Sequence, residues 1–478
     1  MSIWGLAVAA LAIFVAAPHA VQSAGQPAAK RVSLIVTNGI VVTVDGQRRV
    51  LDPGALAIDG SDIVGVDTPD AIKRQFSAAQ TIDAGGQVIM PGLINTHTHA
   101  PMVLYRGLAD DLALMEWLQK YIFPAEAKTV SPAFVRTGTR LAALEMIRSG
   151  TTAYADMYYF EEEIAKATKE AGIRGVLGQT IIKFPVPDAK TPEESLARTR
   201  AFIAQFKNDP LIVPAVAPHS PYTLEPGTLK QASALAREQH VPLLIHLAET
   251  HDEVDIIQKQ YQKTPTAFLE SINLLGPEVL AAHAVWTSDD DVAILKRTGA
   301  SVSHNPESNM KLASGTARVS KFLAAGVPVG LGTDGAASNN DLDMFEAMRM
   351  TAFLHKLQTN DPKALPAPVV LELATRQGAR ALGLDKQIGS LEVGKRADLL
   401  IVSMNSARQT PMYDPVSHLV YATRGDDVQT VIVHGKMLMR DRKVLTLDEK
   451  SVLADARAAA VKVREAVGLT PAPATSKN

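Results

Sequence analysis

Cysteine is absent from all 478 residues of the chain. This excludes disulfides, iron–sulfur clusters, thiolate metal sites and cysteine nucleophiles, and it excludes the cysteine-ligated zinc deaminases of cytidine-type bases. A strong excess of charge of one sign is absent too, because the formal net charge is -2. Such a chain has no basic field for nucleic acid and no polybasic face for anionic lipid. We therefore expect neither nucleic acid nor a membrane surface among its partners.

An apolar run of transmembrane length is missing from the amino terminus, where residues 6–17 are too few to cross a bilayer comfortably. Pro18 and the small residues 23–25 follow this run, which is the order found in a secretory signal peptide. We predict a signal peptide over residues 1–25, no stable membrane insertion, and a periplasmic or secreted protein. No lysine or arginine precedes the run, so an uncleaved segment on a cytoplasmic protein is the alternative.

A glycine-rich first turn, with which an open doubly wound sheet normally binds phosphate, does not occur either. Short apolar runs instead alternate with helical patterns, which predicts repeated βα units around a parallel sheet. Eight units close into a (β/α)₈ TIM-like barrel, predicted over residues 93–387, whose functional groups gather at the carboxyl ends of the strands. The runs lie near residues 93–97, 152–156, 175–181, 212–217, 242–246, 279–283, 301–303 and 327–333.

The segments on both sides of the barrel have a β-rich texture. Turn pairs Asp45-Gly46 and Asp59-Gly60 predict hairpins. Residues 31–92 and 388–445 are predicted to form one small composite β-sandwich domain from both chain ends. Residues 446–478 are predicted to be a helix, over 451–467, followed by a disordered tail rich in Pro, Ala, Ser, Thr and Lys.

Candidate metal ligands end four of the apolar runs. His97 and His99 are two residues apart in one predicted strand, so they share a face and can bind a single ion. Three further runs end at His246, His283 and Asp334. Imidazole and carboxylate groups without thiolate suit Zn²⁺ or another divalent transition ion. The histidine pair alone is equally typical of two polar residues at a strand end, but agreement among four strand ends favours a metal site.

Six sequence runs around these positions resemble the amidohydrolase superfamily, and within it the 5'-methylthioadenosine/S-adenosylhomocysteine deaminase branch. The resemblance covers residues 31–445, and the stretches 123–126 and 218–220 favour the nucleoside deaminases. It implies hydrolytic deamination of adenosine, 5'-methylthioadenosine or S-adenosylhomocysteine to the inosine analogue and ammonia. The runs are PGLINTHTHAPM (91–102), PHSPY (218–222), HLAET (246–250), AAHAVW (281–286), SHNPESNMKLASG (303–315) and GLGTDGAASNN (330–340).

The resemblance also implies which residues bind the metal ion and which take part in catalysis. It assigns one divalent ion, Zn²⁺ with Fe²⁺ as the alternative, to His97, His99, His246 and Asp334. The ion activates a water molecule for attack on C6 of the adenine ring. Glu249 corresponds to the general acid at the adjacent ring nitrogen, and Asp334 to the group that relays a proton to the leaving amine.

Two further histidines stand outside this set. His283 is assigned to orientation of the water, with looser metal binding or a purely structural role as alternatives. His304 ends a strand, but four ligands are already present, so we expect it to support other groups or fix a loop. Two-metal relatives carry a bridging lysine in strand four, and residues 211–220 contain none, which predicts a single ion.

Substrate contacts are implied for Glu126 and His219, in addition to Glu249 and Asp334. Glu126 corresponds to a carboxylate that binds the ribose hydroxyls, and a carboxylate accepting two O–H bonds suits a vicinal diol. Met115 and Trp117 are interpreted either as an apolar wall for the 5'-substituent or as core.

Residues 179–191 contain two lysines and no arginine that could bind a homocysteine carboxylate. S-adenosylhomocysteine is therefore a weaker candidate than methylthioadenosine or adenosine. A guanine deaminase or a triazine hydrolase is the alternative on the same scaffold, and it would need neither Glu126 nor a ribose. A non-catalytic relative would show decayed ligands, whereas all five core positions are filled. We also expect a homo-oligomer.

Overall fold

Two sheets organise the protein in a computed structural model, which describes residues 29–469 continuously together with residues 1–2, 4–7, 9–10 and 12. The predicted signal peptide and the predicted disordered tail lie largely outside the described residues, so both stay predictions. None of the helices in the described ranges has the length and apolar character needed to cross a bilayer.

Within the described residues, five strands precede the barrel and form the first part of a separate sheet. Their antiparallel pairs include the two predicted hairpins, since Val42 pairs with Val50 and Asp59 pairs with Asp62. Gly60 lies in the second turn with φ of 60°, a left-handed conformation that costs glycine little. The strands are β1 (Lys30–Val42), β2 (Val50–Asp59), β3 (Asp62–Asp67), β4 (Phe76–Asp83) and β5 (Val88–Pro91), with helix Pro69–Gln75 before β4.

The next eight strands are parallel and follow one another around the barrel in chain order. The barrel approaches closure where the N–H of Asp334 donates to the carbonyl of His97 over 2.9 Å, joining the last strand to the first. Every predicted run overlaps its strand, which confirms the (β/α)₈ fold. The strands are β6 (Leu93–Thr98), β7 (Thr151–Tyr158), β8 (Arg174–Ile181), β9 (Ile212–Pro218), β10 (Leu243–Leu247), β11 (Val279–His283), β12 (Ser301–His304) and β13 (Val329–Leu331).

Helices cover the outside of the barrel, and several begin as their sequences dictate. The Ser131 and Thr191 hydroxyls accept hydrogen bonds from backbone N–H groups in the first turn, and proline occupies the first position of both helices. The helices are Pro132–Ser149, Glu161–Ala171, Pro192–Phe206, Pro226–Gln239, His251–Tyr261, Pro265–Ser271, Asp289–Thr298, Pro306–Lys311, Val319–Ala325, Ala336–Asn339, Met344–Thr359, Ala367–Leu373 and Arg376–Ala381.

The segment between β6 and helix Pro132–Ser149 lies over the carboxyl end of the barrel. It is mostly short helices: a 3₁₀ turn over Ala100–Tyr105, then Leu114–Glu116, a π-helix over Trp117–Ile122, and Phe123–Thr129. π-helical turns are rare and occur often at functional sites. We call residues 100–129 the covering segment.

The barrel interior is filled at its amino end by small and aliphatic side chains. Ile94, Ala153, Ala215 and Leu244 belong to one cluster with Ala379, which comes from helix Arg376–Ala381. This helix therefore closes the floor. Polar groups can accumulate only towards the other end, where the strands finish.

Four carboxy-terminal strands complete the first sheet. β14 (Leu399–Val402) pairs antiparallel with β5, and β15 (Val428–Val433), β16 (Lys436–Arg440) and β17 (Lys443–Val444) follow outward. The result is one hydrogen-bonded sheet of nine strands built from both chain ends. The remaining elements are 3₁₀ turns Ala407–Gln409 and Gly425–Asp427 and helices Pro415–Tyr421 and Glu449–Val467.

A buried ion pair connects this sheet to the barrel. Arg174, the first residue of β8, lies 3.2 Å from Asp398, which directly precedes β14, and both side chains are almost fully buried. The sheet therefore lies at the amino ends of the barrel strands, away from the polar end.

Candidate metal centre and active site

Three histidines meet at the carboxyl end of the barrel. The Nε2 atoms of His246 and His99 are 3.3 Å apart, and one ligand atom from each of His97, His99 and His246 lies within 4.8 Å of the others. The pairing of β6 with β7 shifts register between Asn95 and Thr98, close to His97 and His99. Such irregularities re-aim side chains at barrel rims.

Asp334 and His283 complete the group. Oδ1 of Asp334 is 3.5 Å from Nε2 of His97 and 3.4 Å from Nε2 of His99. His97, His283 and Asp334 also place one ligand atom each within 4.8 Å. The four predicted ligands and His283 thus surround one point.

The hydrogen bonds of the imidazoles fit a bound cation. Nδ1 of His99 donates to the carbonyl of Met157 and Nδ1 of His246 to that of His219, each over 2.7 Å, which leaves both Nε2 atoms as lone-pair donors. Nε2 of His97 and Nε2 of His283 are buried and have no hydrogen-bond partner among the described residues. Burial lowers the pKa of His97 and of His246 well below the ordinary value, which favours neutral, ligating imidazoles. Buried nitrogens aimed at one another satisfy their lone pairs when a metal lies between them.

Unusual backbone conformations occur at three of these strand ends. φ is 48° at Ala248, 73° at His283 and 67° at Asp334, in a region that residues other than glycine seldom adopt. Val279 and Ala281 pack against the helices, so strict alternation would point His283 outward as well. The left-handed turn directs its ring inward. Such strain persists where the surroundings fix it, and it clusters at functional sites.

Asp334 is held in one orientation by its neighbours. Its Oδ2 accepts hydrogen bonds from the hydroxyls of Ser308 at 2.7 Å and Ser338 at 3.1 Å, while Oδ1 accepts the N–H of Gly335 at 2.7 Å. Burial would raise the pKa of Asp334, but the imidazoles of His97 and His99 outweigh it and keep the pKa below the ordinary value. Asp334 therefore stays ionised with Oδ1 towards the histidines.

Glu249 lies beside this centre. Its Oε2 is 3.8 Å from Nε2 of His283, and burial raises the pKa of Glu249. Glu253 on the following helix accepts the backbone N–H groups of Ala248 at 2.8 Å and Glu249 at 3.1 Å. The turn that presents Glu249 is thereby fixed, and the raised pKa favours the protonated form of Glu249.

The pocket in front of the centre has an apolar wall and a polar end. The covering segment contributes Met102, Leu114, Trp117, Leu118, Ile122 and Phe123 to the wall, while Glu126, His219, Glu249 and the metal-centre residues His99, His246, His283 and Asp334 line other parts. The pocket-lining residues include no lysine or arginine within the described ranges. Trp117 lines the pocket as one interpretation suggested, whereas Met115 does not and Leu114 lies there instead.

Glu126 is buried at one end of this pocket, with Oε1 accepting a hydrogen bond from the Tyr158 hydroxyl at 2.6 Å. Burial raises the pKa of Glu126 to about 7. The ring of His219 lies 4.7 Å, centroid to centroid, from that of His246 and is tilted by 49° to it, and its Nδ1 is 3.2 Å from the Ser220 hydroxyl. Burial lowers the pKa of His219 to about 3, so its ring is neutral.

His304 lies outside the site. Its Nε2 is 3.2 Å from Nε2 of His355, on helix Met344–Thr359. The ring fixes a helix against the barrel rather than supporting a metal ligand.

Sequence reasoning did not find Glu253, Ser308, Ser338 or Tyr158. Glu253 follows Glu249 at helical spacing, and Ser308 and Ser338 lie within two of the quoted runs, so part of the signal was present. Tyr158 carries no motif. Only the approach of the covering segment to the end of β7 reveals it.

Comparison with known proteins gives consistent matches. The profile of the amidohydrolase family matches residues 88–438. A 5-methylthioadenosine/S-adenosylhomocysteine deaminase of Syntrophobacter fumaroxidans is 49% identical over 423 residues, covering 88% of this chain and 96% of that protein. A 5'-deoxyadenosine deaminase of Methanosarcina mazei is 46% identical over 429 residues, covering 89% and 97%.

A solved structure has the same fold. The crystal structure of an adenosine deaminase from Xanthomonas campestris with bound zinc superposes with a TM-score of 0.90 at 38% identity, covering 91% of this chain and 100% of that one. The predicted resemblance is confirmed, and the chain belongs to the amidohydrolase family.

Proposed function

We propose that this protein is a metal-dependent hydrolytic deaminase of adenine nucleosides, which converts them to the inosine analogue and ammonia. The observation that carries the proposal is the convergence of His97, His99, His246 and Asp334 beside a pocket that also contains Glu249 and Glu126. The matched relatives named above act, by their names, on adenine nucleosides.

The four ligands would bind one divalent ion, and Zn²⁺ is our choice. The donor set of imidazole and carboxylate suits zinc, and the related Xanthomonas structure contains it. When bound, the ion supplies a Lewis acid that activates water for attack on C6 of the purine.

Two side chains then transfer protons, and a third orients the attacking water. Glu249, whose pKa is raised by burial, donates a proton to the ring nitrogen next to C6. Asp334 accepts one proton from the attacking water and returns it to the amino group, so that the C6–N bond breaks and ammonia leaves. The hydroxyl proton that remains on C6 passes back to Glu249 as the C6 carbonyl forms. His283, 3.8 Å from Glu249, orients the attacking water.

The nucleoside's ribose would lie against Glu126. A buried carboxylate that lines the pocket suits a vicinal diol, because it accepts two O–H bonds. His219 contacts the same part of the substrate.

The 5'-substituent would lie along the apolar wall of the covering segment. Burying a charged group against such a wall without a partner is costly. We therefore propose that uncharged 5'-groups, as in 5'-deoxyadenosine and methylthioadenosine, are accepted more readily than the zwitterionic tail of S-adenosylhomocysteine.

Ammonia release from adenosine, 5'-deoxyadenosine, methylthioadenosine, S-adenosylhomocysteine, guanine and chlorotriazines tests the proposal. The adenine nucleosides should react, and metal content should be about one ion per chain. Turnover of guanine or a triazine alone would replace the nucleoside reading.

The diol contact has its own test. Losing a charge-assisted hydrogen bond costs about 1.5–3 kcal/mol, so Glu126→Ala should lower kcat/KM for adenosine by at least about tenfold. With 2',3'-dideoxyadenosine the variant should match the parent. Glu116→Ala removes an exposed glutamate of the same covering segment and serves as the control. Equal losses on both nucleosides would mean that Glu126 does not bind the diol.

A further inference from the structure

Tyr158 and Glu126 form a buried pair that joins two parts of the site. Tyr158 is the last residue of β7, and Glu126 lies on helix Phe123–Thr129 of the covering segment. The phenol O–H donates to Oε1 of Glu126 over 2.6 Å, and both side chains line the pocket. Oε2 receives no hydrogen bond from any residue in the described ranges, so it is the oxygen left for a ligand.

The surroundings of Glu126 make this one donor important. No lysine, arginine or histidine of the described residues lies within 4.0 Å of the Glu126 carboxylate. The titratable groups near it are the phenols of Tyr105, Tyr158 and Tyr159, whose pKa values the charge of Glu126 raises. Burial raises the pKa of Glu126 to about 7, and the Tyr158 hydrogen bond acts in the opposite direction. Both the ionised state and the rotamer of Glu126 therefore depend on Tyr158.

We infer that Tyr158 is a positioning residue for ribose recognition: its hydroxyl fixes Oε1 of Glu126 and leaves Oε2 to accept from the vicinal diol of the nucleoside. This inference rests on the proposed function, since it assumes that Glu126 binds the diol. Fixing the carboxylate before the substrate arrives reduces the ordering cost of binding. Tyr158 acts through Glu126 and takes no part in the bond changes at C6.

Tyr158→Phe removes the hydroxyl and keeps the ring. KM for adenosine should rise by about tenfold at pH 7, while kcat changes by less than about threefold, because a binding contact is lost rather than one made only in the transition state. kcat/KM for 2',3'-dideoxyadenosine and the metal content should equal those of the parent. The same kinetic loss on both nucleosides would overturn the inference.

Tyr105→Phe is the matched control. The Tyr105 hydroxyl is 2.6 Å from the Thr129 hydroxyl, so this variant loses a tyrosine hydrogen bond to the same helix without touching the carboxylate. It should leave KM for adenosine unchanged. A rise equal to that in Tyr158→Phe would assign both effects to the position of the helix and overturn the inference.

A double-mutant cycle and a pH profile complete the test. In a Glu126→Ala background, Tyr158→Phe should have no further effect on kcat/KM for adenosine; an additive loss would overturn the inference.

For the parent, kcat/KM with adenosine should fall as pH drops through about 7, where Glu126 becomes protonated. Tyr158→Phe should move this fall to higher pH, and Tyr158→3-fluorotyrosine, a stronger donor of similar shape, to lower pH. The fluorinated variant keeps the inference testable if Tyr158→Phe does not fold, and an unmoved profile would overturn it. If the parent deaminates no adenine nucleoside at all, the proposed function fails instead.

Discussion

The carboxyl ends of β10 and β12 carry the same pattern, a histidine followed three residues later by a glutamate, yet only β10 contributes to the site. His246 lies two residues after Leu244, which faces the barrel interior, and its ring meets the other metal-centre histidines. His304 lies two residues after Val302, which packs against the helices, and its ring meets His355. The strand end determines the edge of the barrel on which a residue lies, and where the strand is regular the odd or even position of the residue determines which side it faces.

The two glutamates differ in the same way. Glu249 lines the pocket and faces His283. The carboxylate oxygens of Glu307 are buried and accept no hydrogen bond from the part of the chain that the structure describes. Burial together with the nearby carboxylates of Asp341 and Glu346 raises the pKa of Glu307 well above its ordinary value. A carboxyl group that lines the pocket can exchange protons with a substrate, whereas a buried one among like charges keeps its proton.

The largest expected effect separates the two histidines. His246→Ala removes one of the ligands, so bound metal should fall from about one ion per chain to nearly none, and ammonia release should drop by more than about 10³-fold. His304→Ala should keep both the metal and the activity of its folded fraction. Elemental analysis and an adenosine assay measure these outcomes. Full metal in His246→Ala, or its loss in His304→Ala, would reverse the comparison.

The two glutamates predict a smaller contrast. Glu249→Gln keeps the side-chain shape but cannot deliver a proton, so turnover should fall by about 10²-fold or more while metal and substrate binding persist. Glu307→Gln replaces a protonated acid with a neutral amide, so turnover and thermal stability should stay close to those of the parent. Loss of metal from Glu249→Gln would instead make Glu249 a ligand.

The smallest effect concerns acid stability. Burial lowers the pKa of His355 to about 4 and that of His304 well below its usual value, whereas both titrate near 6.5 when unfolded. The unfolded chain therefore binds more protons as pH falls from about 6.5 towards 4, and this part of the stability is lost across that window. At pH 5 the loss is about 2 kcal/mol for His355.

A double variant, His304→Leu with His355→Leu, should lose less thermal stability between pH 7 and pH 5 than the parent does. The metal-centre histidines are present in both proteins, so the difference isolates this pair. Replacement of the half-buried His418 by Leu serves as a control. An unchanged pH dependence in the double variant would show that the pair does not titrate on unfolding.

The sequence was sufficient to predict the barrel, because strand runs and ligand spacing follow from local alternation. It also predicted that one edge of the barrel carries His97, His99, His246 and Asp334, since parallel strands end together. It did not predict the inward turn of His283, which depends on a φ of 73° rather than on alternation. Nor did it predict the contact of Tyr158 with Glu126, because that pair forms only when the covering segment folds back over β7.

The nine-stranded sheet has a consequence for synthesis on the ribosome. β5 and its neighbour β14 lie more than three hundred residues apart in sequence, with the whole barrel between them. While the barrel is being made, β5 presents an unpaired edge, which is a template for wrong pairing with other chains. Release of the last strands completes the sheet, so a chain that stalls after the barrel would carry all its catalytic groups and still be prone to aggregate.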